Sequence, residues 1–125
     1  MHKVSGIGGF FFRAKDPDAI ARWYLDNLGI DPVPETYDGQ VWRQQAGETV
    51  FTAMSEALDQ FGSPNTAWAI NFRVPDLDGM VEQLRTAGIE VAVDPETYPN
   101  GRFASLADPE GNPIQLWQPD DEATD

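Results

Sequence analysis

The first half of the chain opens with a short apolar run and then changes to an amphipathic stretch. Residues 6–14 carry apolar and aromatic side chains with the two-residue period that predicts a strand. Asp16-Pro17-Asp18 predicts the first turn of a helix, because proline fits that turn and acids favour the positive end of the helix dipole. Gly29 predicts its end. Between them, apolar residues recur at helical spacing, at Ile20, Trp23, Tyr24 and Leu28.

The second half repeats this order of patterns. A strand is predicted over residues 67–74, followed by a helix over 77–87 that Gly88 ends. Three short strands are predicted to follow, over 90–93, 103–107 and 113–118. In the first half, the matching short strands are predicted over 41–45 and 49–54. Each half therefore reads as strand, helix and then two or three strands, so the fold class is α+β.

The two halves also share letters at an offset of about 60 residues. Pro-Glu-Thr-Tyr occurs at residues 34–37 and again at 95–98. A duplicated unit explains this better than chance. We expect one module over 5–54, a linker over 55–66 and a second module over 67–119. Together they make a single domain, 1–119, and residues 120–125 are predicted to form a disordered acidic tail.

Two segments of the second half carry a family resemblance. Residues 108–117 read Asp-Pro-Glu-Gly-Asn-Pro-Ile-Gln-Leu-Trp, and residues 72–78 read Phe-Arg-Val-Pro-Asp-Leu-Asp. In a doubled βαβββ unit, these segments resemble the vicinal oxygen chelate superfamily, the group of glyoxalase I, extradiol dioxygenases and the fosfomycin- and bleomycin-resistance proteins. The resemblance implies two tandem modules that form a curved, half-open mixed sheet around a cleft, with the helices outside. It also implies a homodimer.

The resemblance further implies where the metalloenzymes of that superfamily would hold a divalent ion. The four corresponding positions in this chain are Gly9, Phe51, Ala69 and Gln115. The first three side chains have no ligating atom, and Gln115 offers one neutral oxygen, which is a weak ligand. The single histidine, His2, precedes the first strand. We therefore expect no metal and no other cofactor, and we assign no catalytic residue.

Strand alternation predicts which side chains line the cleft. Successive residues of a strand face opposite sides, so the uniformly apolar set goes to the core and the alternate set goes to the cleft. The predicted ligand-binding residues are Phe11, Trp42, Phe51, Asn71, Gln115 and Trp117, with Arg13 and Arg73 near the strand ends. Such walls suit a flat organic ligand held by a few polar groups. The same aromatic side chains would also suit interior packing or a dimer interface.

Composition and charge narrow the range of partners. The 125 residues carry a formal net charge of −13 and no cysteine. The negative charge disfavours nucleic acid and anionic lipid, and it is compatible with a groove for a cationic ligand. No apolar run is long enough to cross a membrane. Without cysteine, disulfides and thiolate metal sites are excluded, and we expect a cytoplasmic protein.

These observations favour a metal-independent binding protein of the bleomycin-resistance type. It would be a homodimer that sequesters an aromatic or cationic organic molecule in its cleft. The alternative is an enzyme of the same superfamily, a lyase, isomerase or dioxygenase with an atypical metal site that Gln115 and an acid such as Glu48 would supply. A module that regulates a protein partner is a third hypothesis, for which the sequence offers no motif.

Overall fold

The computed structural model describes residues 1–57 and 66–120. Its helices are α1 (Pro17–Leu28) and α2 (Leu77–Thr86), and its strands are β1 (Ile70–Arg73), β2 (Ala92–Val93), β3 (Gly101–Ala107) and β4 (Pro113–Pro119). The strands form one sheet in the order β1-β4-β3-β2, in which β1 is parallel to β4 and the other pairs are antiparallel. The predicted α+β class with an open mixed sheet is confirmed.

Each helix is capped by the aspartate that immediately precedes it. The side chain of Asp16 accepts a hydrogen bond from the backbone N–H of Ala19 at 3.1 Å, and Asp76 accepts one from Gly79 at 3.0 Å. Each bond satisfies a backbone donor that the first turn of a helix leaves without a partner. Helix α1 ends at Gly29, whose φ of 72° lies in the left-handed region that glycine adopts without strain. Both predicted helices are confirmed.

The core lies between one face of the sheet and the two helices. Alternate side chains of β1, β3 and β4 point towards the helices, as the two-residue period predicts. Burial of these apolar side chains is the main favourable contribution to folding. The buried cluster comprises Ile20, Tyr24, Val74, Leu77, Val81, Leu84, Val91, Ala104, Leu106, Ile114 and Leu116. The four strands predicted in the second half are therefore confirmed, with shifted ends.

The strands predicted in the first half, over residues 6–14, 41–45 and 49–54, are wrong for this structure. These segments carry no strand. A strand persists only where its backbone groups pair with a neighbour, and no ladder of the described sheet includes them. Several of their apolar side chains are consequently exposed to water: Phe11 is 92%, Val50 72% and Phe51 91% exposed. The period-two pattern is present, but the pairing that would use it is not.

The ordered sheet thus belongs to the second predicted module, and the two-module boundaries stay a prediction. Most of the predicted linker, residues 58–65, and nearly all of the predicted acidic tail, residues 121–125, lie outside the described residues. Neither of the described helices is long and apolar enough to cross a membrane.

A buried carboxylate in the second half anchors helix α1. Asp108, in the turn between β3 and β4, is 4% exposed and accepts a hydrogen bond from the Tyr24 hydroxyl at 2.7 Å. Within its own turn it also accepts bonds from the backbone N–H of Glu110 and from the backbone and side-chain N–H groups of Asn112. Burial, together with the bond to this carboxylate, raises the pKa of Tyr24. The tyrosine therefore stays a neutral donor across the physiological range.

The same turn also holds the residues that precede α1. The carboxylate of Glu110 accepts hydrogen bonds from the backbone N–H groups of Lys15 at 2.7 Å and Asp16 at 3.1 Å. A negative side chain at this end of a helix is favoured by the helix dipole. The turn after β3 therefore fixes both the start of α1 and, through Tyr24, its buried side.

Candidate functional site

The face of the sheet that points away from the helices contains the candidate site. Alternation places the odd-numbered residues of β1, β3 and β4 on this face. One row crosses the sheet in register, because Asn71 lies opposite Gln115, Gln115 opposite Ser105, and Ser105 opposite Ala92. All four of these side chains are exposed, whereas their neighbours along the strands are buried or half-buried. The fold therefore presents a row of exposed side chains, three of them polar, across an open sheet face.

Two side-chain amides in this row bind each other. The Nδ2 group of Asn71 donates a hydrogen bond to Oε1 of Gln115, and the two atoms are 2.7 Å apart. The bond links neighbouring strands and holds both side chains in one arrangement. An amide nitrogen carries two hydrogens and an amide oxygen has two lone pairs, so a single bond between them leaves one donor and one acceptor side by side.

Aromatic side chains form the neighbouring row on the same face. The rings of Phe103 and Trp117, which are opposite each other in β3 and β4, are stacked with centroids 6.3 Å apart and planes 7° apart. The indole N–H of Trp117 donates to the carbonyl of Asn100 at 2.8 Å, which fixes the ring. Tyr98 packs edge-on against Phe103 at 5.8 Å. Trp117 is only 5% exposed, so it forms the base of this row rather than an open wall.

Arginine 73 lies beside Trp117 at the edge of the same face. Its guanidinium donates to the carbonyl of Gln45 at 2.9 Å and packs against Gly47. A turn of the first half is thus tied to β1. Asp78, close to Arg73 in the sequence, binds Arg102 at 3.0 Å, and that contact lowers the pKa of the Asp78 carboxyl.

The six predicted ligand-binding residues are divided between the two halves. The structure brings Asn71, Gln115 and Trp117 onto one face of the sheet. Among the described contacts, no hydrogen bond or ring stacking joins this face to Phe11, Trp42 or Phe51, which are exposed side chains of the strandless first half. In the first half, the side chains that alternation assigns to the core do pack there. Phe12 and Ala14 lie against the buried cluster.

Sequence reasoning missed two residues of this face, Phe103 and Ser105. Their alternation along the segment 103–107 is visible, but alternation alone does not say which set faces the helices. The register with β4, in which Phe103 pairs with Trp117 and Ser105 with Gln115, places them. The sequence does contain a signal for the orientation of this strand. Ala104 and Leu106, which alternate with Phe103 and Ser105, are both apolar and favour the side that faces the helices.

A match to a known family agrees with this geometry. The family model of the Glyoxalase/Bleomycin resistance protein/Dioxygenase superfamily matches residues 6–116. The chain belongs to this superfamily. The resemblance predicted from residues 72–78 and 108–117 is thereby confirmed.

Relatives and solved structures of the glyoxalase superfamily extend the comparison. The anthracycline biosynthesis protein DnrV of Streptomyces peucetius is 36% identical over 61 residues, which are 48% of this chain and 22% of DnrV. TnmS3, an antibiotic binding protein from Streptomyces sp. CB03234, has a TM-score of 0.66 at 24% identity over 96% of this chain and 100% of its own. Lactoylglutathione lyase from Agrobacterium tumefaciens has a TM-score of 0.58 at 21% identity, over 94% and 96%. These two structures establish the glyoxalase-like fold alone.

Metal binding in the manner of the superfamily's enzymes does not fit the side chains of this member. At the four positions that the resemblance implies, Gly9 and Ala69 offer no donor atom and Phe51 offers only a ring. The oxygen of Gln115 already accepts a hydrogen bond from Asn71. Within residues 1–57 and 66–120, no three side chains of histidine, cysteine, aspartate or glutamate are grouped closely enough to hold an ion.

Proposed function

We propose that this protein binds and sequesters a small organic molecule, aromatic or cationic, without a metal ion, on the open face of its sheet. The observation that carries the proposal is the fixed amide pair of Asn71 and Gln115 on an exposed face, beside the stacked rings of Phe103 and Trp117. Small-molecule sites combine apolar and aromatic walls with a few fixed polar groups. Membership of a superfamily that includes bleomycin resistance proteins supports a binding role.

The first half supplies the opposite wall of the site in this proposal. Phe11, Trp42 and Phe51 are exposed aromatic side chains, and large exposed apolar patches mark interaction sites. We place them over the ligand in a homodimer, in which a second copy covers the strandless segments. Sedimentation velocity tests this arrangement, since a monomer at micromolar concentration would contradict it. A cytoplasmic location stays a prediction from the cysteine-free composition.

Titration calorimetry with planar aromatic and cationic compounds, carried out in a chelating buffer, tests the binding function. We expect at least one compound to bind with one site per chain, and added divalent ions to leave its affinity unchanged. Trp42→Ala should weaken binding by roughly tenfold, since truncating an aromatic side chain that becomes buried on binding costs more than about 1 kcal/mol. Val33→Ala, an exposed apolar position outside the predicted site, is the control. Binding that requires a metal, or a Trp42→Ala variant that binds as tightly as the parent, would contradict the proposal.

A further inference from the structure

The amide pair at the centre of the open face defines the kind of ligand edge that it can accept. Asn71 Nδ2 and Gln115 Oε1 are 2.7 Å apart, and their mutual bond uses one hydrogen and one lone pair. The second N–H of one side chain and the second lone pair of the other are therefore adjacent. Exchanging which amide donates would leave the same adjacent donor and acceptor. The pair resembles, in hydrogen-bonding terms, one edge of a nucleobase.

The charges of this face disfavour a cationic occupant. Across β1 to β4, alternation places one charged side chain on the face, Arg73, and no carboxylate. Asp94, the residue after β2, already accepts hydrogen bonds from the Tyr98 hydroxyl at 2.8 Å and the backbone N–H of Glu96. This carboxylate belongs to the row of Trp117 and Phe103, whereas the row of Asn71, Gln115 and Ser105 carries no charged side chain. A cation that lost its water beside the amide pair would have no charged partner in that row, and an unpaired charge is costly to desolvate.

From these two observations we infer that the site selects an uncharged planar aromatic compound with a lactam-type edge, that is, an N–H and a carbonyl on neighbouring ring atoms. The ligand N–H binds the free lone pair of the amide pair, and the ligand carbonyl accepts from its free N–H. The flat ring then extends towards Phe103 and the exposed side chain of Ser105. This inference rests on the proposed function and names the class of ligand for it.

Three compounds on one ring system separate hydrogen bonding from shape and charge. Phenanthridin-6(5H)-one is neutral and has the lactam edge, its N-methyl derivative lacks the donor, and N-methylphenanthridinium carries a positive charge. Titration calorimetry with the 125-residue chain should show the lactam binding most tightly. The N-methyl derivative should bind about fivefold more weakly, the equivalent of one hydrogen bond, and the cation more weakly still.

Substitutions test whether the preference for the lactam depends on the amide pair. Asn71→Leu and Gln115→Leu should each remove the difference between the lactam and its N-methyl derivative, whereas Gln83→Leu, a glutamine on the exposed side of α2, should preserve it. Gln115→Glu supplies a carboxylate and should raise the affinity for the cation. Circular dichroism confirms that each variant is folded.

The outcomes distinguish this inference from the proposed function. Equal binding of all three compounds, or tightest binding of the cation, would overturn the lactam preference and leave small-molecule binding intact. A preference that survives both leucine substitutions would equally overturn it. Binding of none of the three would count against the proposed function as well as the inference.

Discussion

Replacing Tyr24 with phenylalanine tests how strongly the second half of the chain holds helix α1. The substitution removes one hydroxyl and leaves the ring, which packs against Phe12, Trp23 and Phe72. The lost bond is short, at 2.7 Å, and both partners are buried, since Tyr24 is 8% and Asp108 4% exposed. Hydrogen bonds to a charged group contribute about 1.5–3 kcal/mol. Because the Asp108 carboxylate keeps three other donors, we expect a loss of about 2 kcal/mol in the free energy of unfolding.

Urea unfolding followed by far-ultraviolet circular dichroism measures this loss. The midpoint should fall while the m-value stays constant, since the substitution exposes no new surface. Tyr37→Phe is the matched control, because Tyr37 is exposed and its hydroxyl has no hydrogen bond among the described contacts. If Tyr24→Phe were no more destabilising than Tyr37→Phe, the contact between α1 and the β3–β4 turn would contribute nothing to stability and this reasoning would fail.

Three further predictions concern the same framework. Burial and the bond to a carboxylate raise the pKa of Tyr24, so above pH 10 the unfolded chain releases this proton while the folded chain keeps it. The free energy of unfolding should therefore fall by about 1.4 kcal/mol per pH unit there, and Tyr24→Phe should flatten that slope in urea titrations between pH 9 and 11. Gly101→Ala should lower the free energy of unfolding by more than about 2 kcal/mol, because φ is 130° and a Cβ would meet a β4 carbonyl. Gly8→Ala is the control, since the space around Gly8 is open, and its free energy of unfolding should equal that of the parent. Glu110→Ala should lower the free energy of unfolding by about 1 kcal/mol, because the backbone N–H groups of Lys15 and Asp16 lose their acceptor. Glu82→Ala, on the exposed side of α2, is the control and should lower it by less than half of that.

The parts of the fold that the sequence predicted correctly are those that depend on local chemistry. Asp16 and Asp76 cap their helices with their own side chains, and Gly29 ends α1 through its own backbone freedom. These signals need no distant partner, so they can be read from a few neighbouring letters. The alternation of the second half was equally readable, because its apolar side has two helices to pack against.

The parts of the candidate site that sequence reasoning missed depend on pairing between distant residues. Asn71 and Gln115 were predicted to share a face, but their mutual hydrogen bond requires the parallel register of β1 and β4, which are separated by about 40 residues. Phe103 joins the site only through its register with Trp117. Strand alternation predicts which residues of one strand share a face. It does not predict which residues are opposite each other in neighbouring strands.

A difference between two turns accompanies the absence of strands in the first half. In the second half, the buried carboxylate of Asp108 accepts hydrogen bonds from three donors of its own turn. These bonds hold the turn that connects β3 to β4. Aligned on the turn glycines, Gly111 and Gly47, the equivalent of Asp108 is Gln44, and that of Glu110 is Ala46. A neutral amide cannot gather donors as a buried carboxylate does, because hydrogen bonds to an ionised acceptor are about twice as strong.

The first-half turn instead forms a hydrogen bond with a distant residue: the guanidinium of Arg73 donates to the carbonyl of Gln45. Both halves have a capped helix and alternating apolar residues, but only the second half has the turn that closes a sheet on itself. The exposed amides of Asn71 and Gln115 lie in the half that has this turn. In the proposed homodimer, the exposed aromatic side chains of the first half form the opposite wall only when a second protomer covers them, so ligand binding and dimerisation are expected to stabilise the same segments.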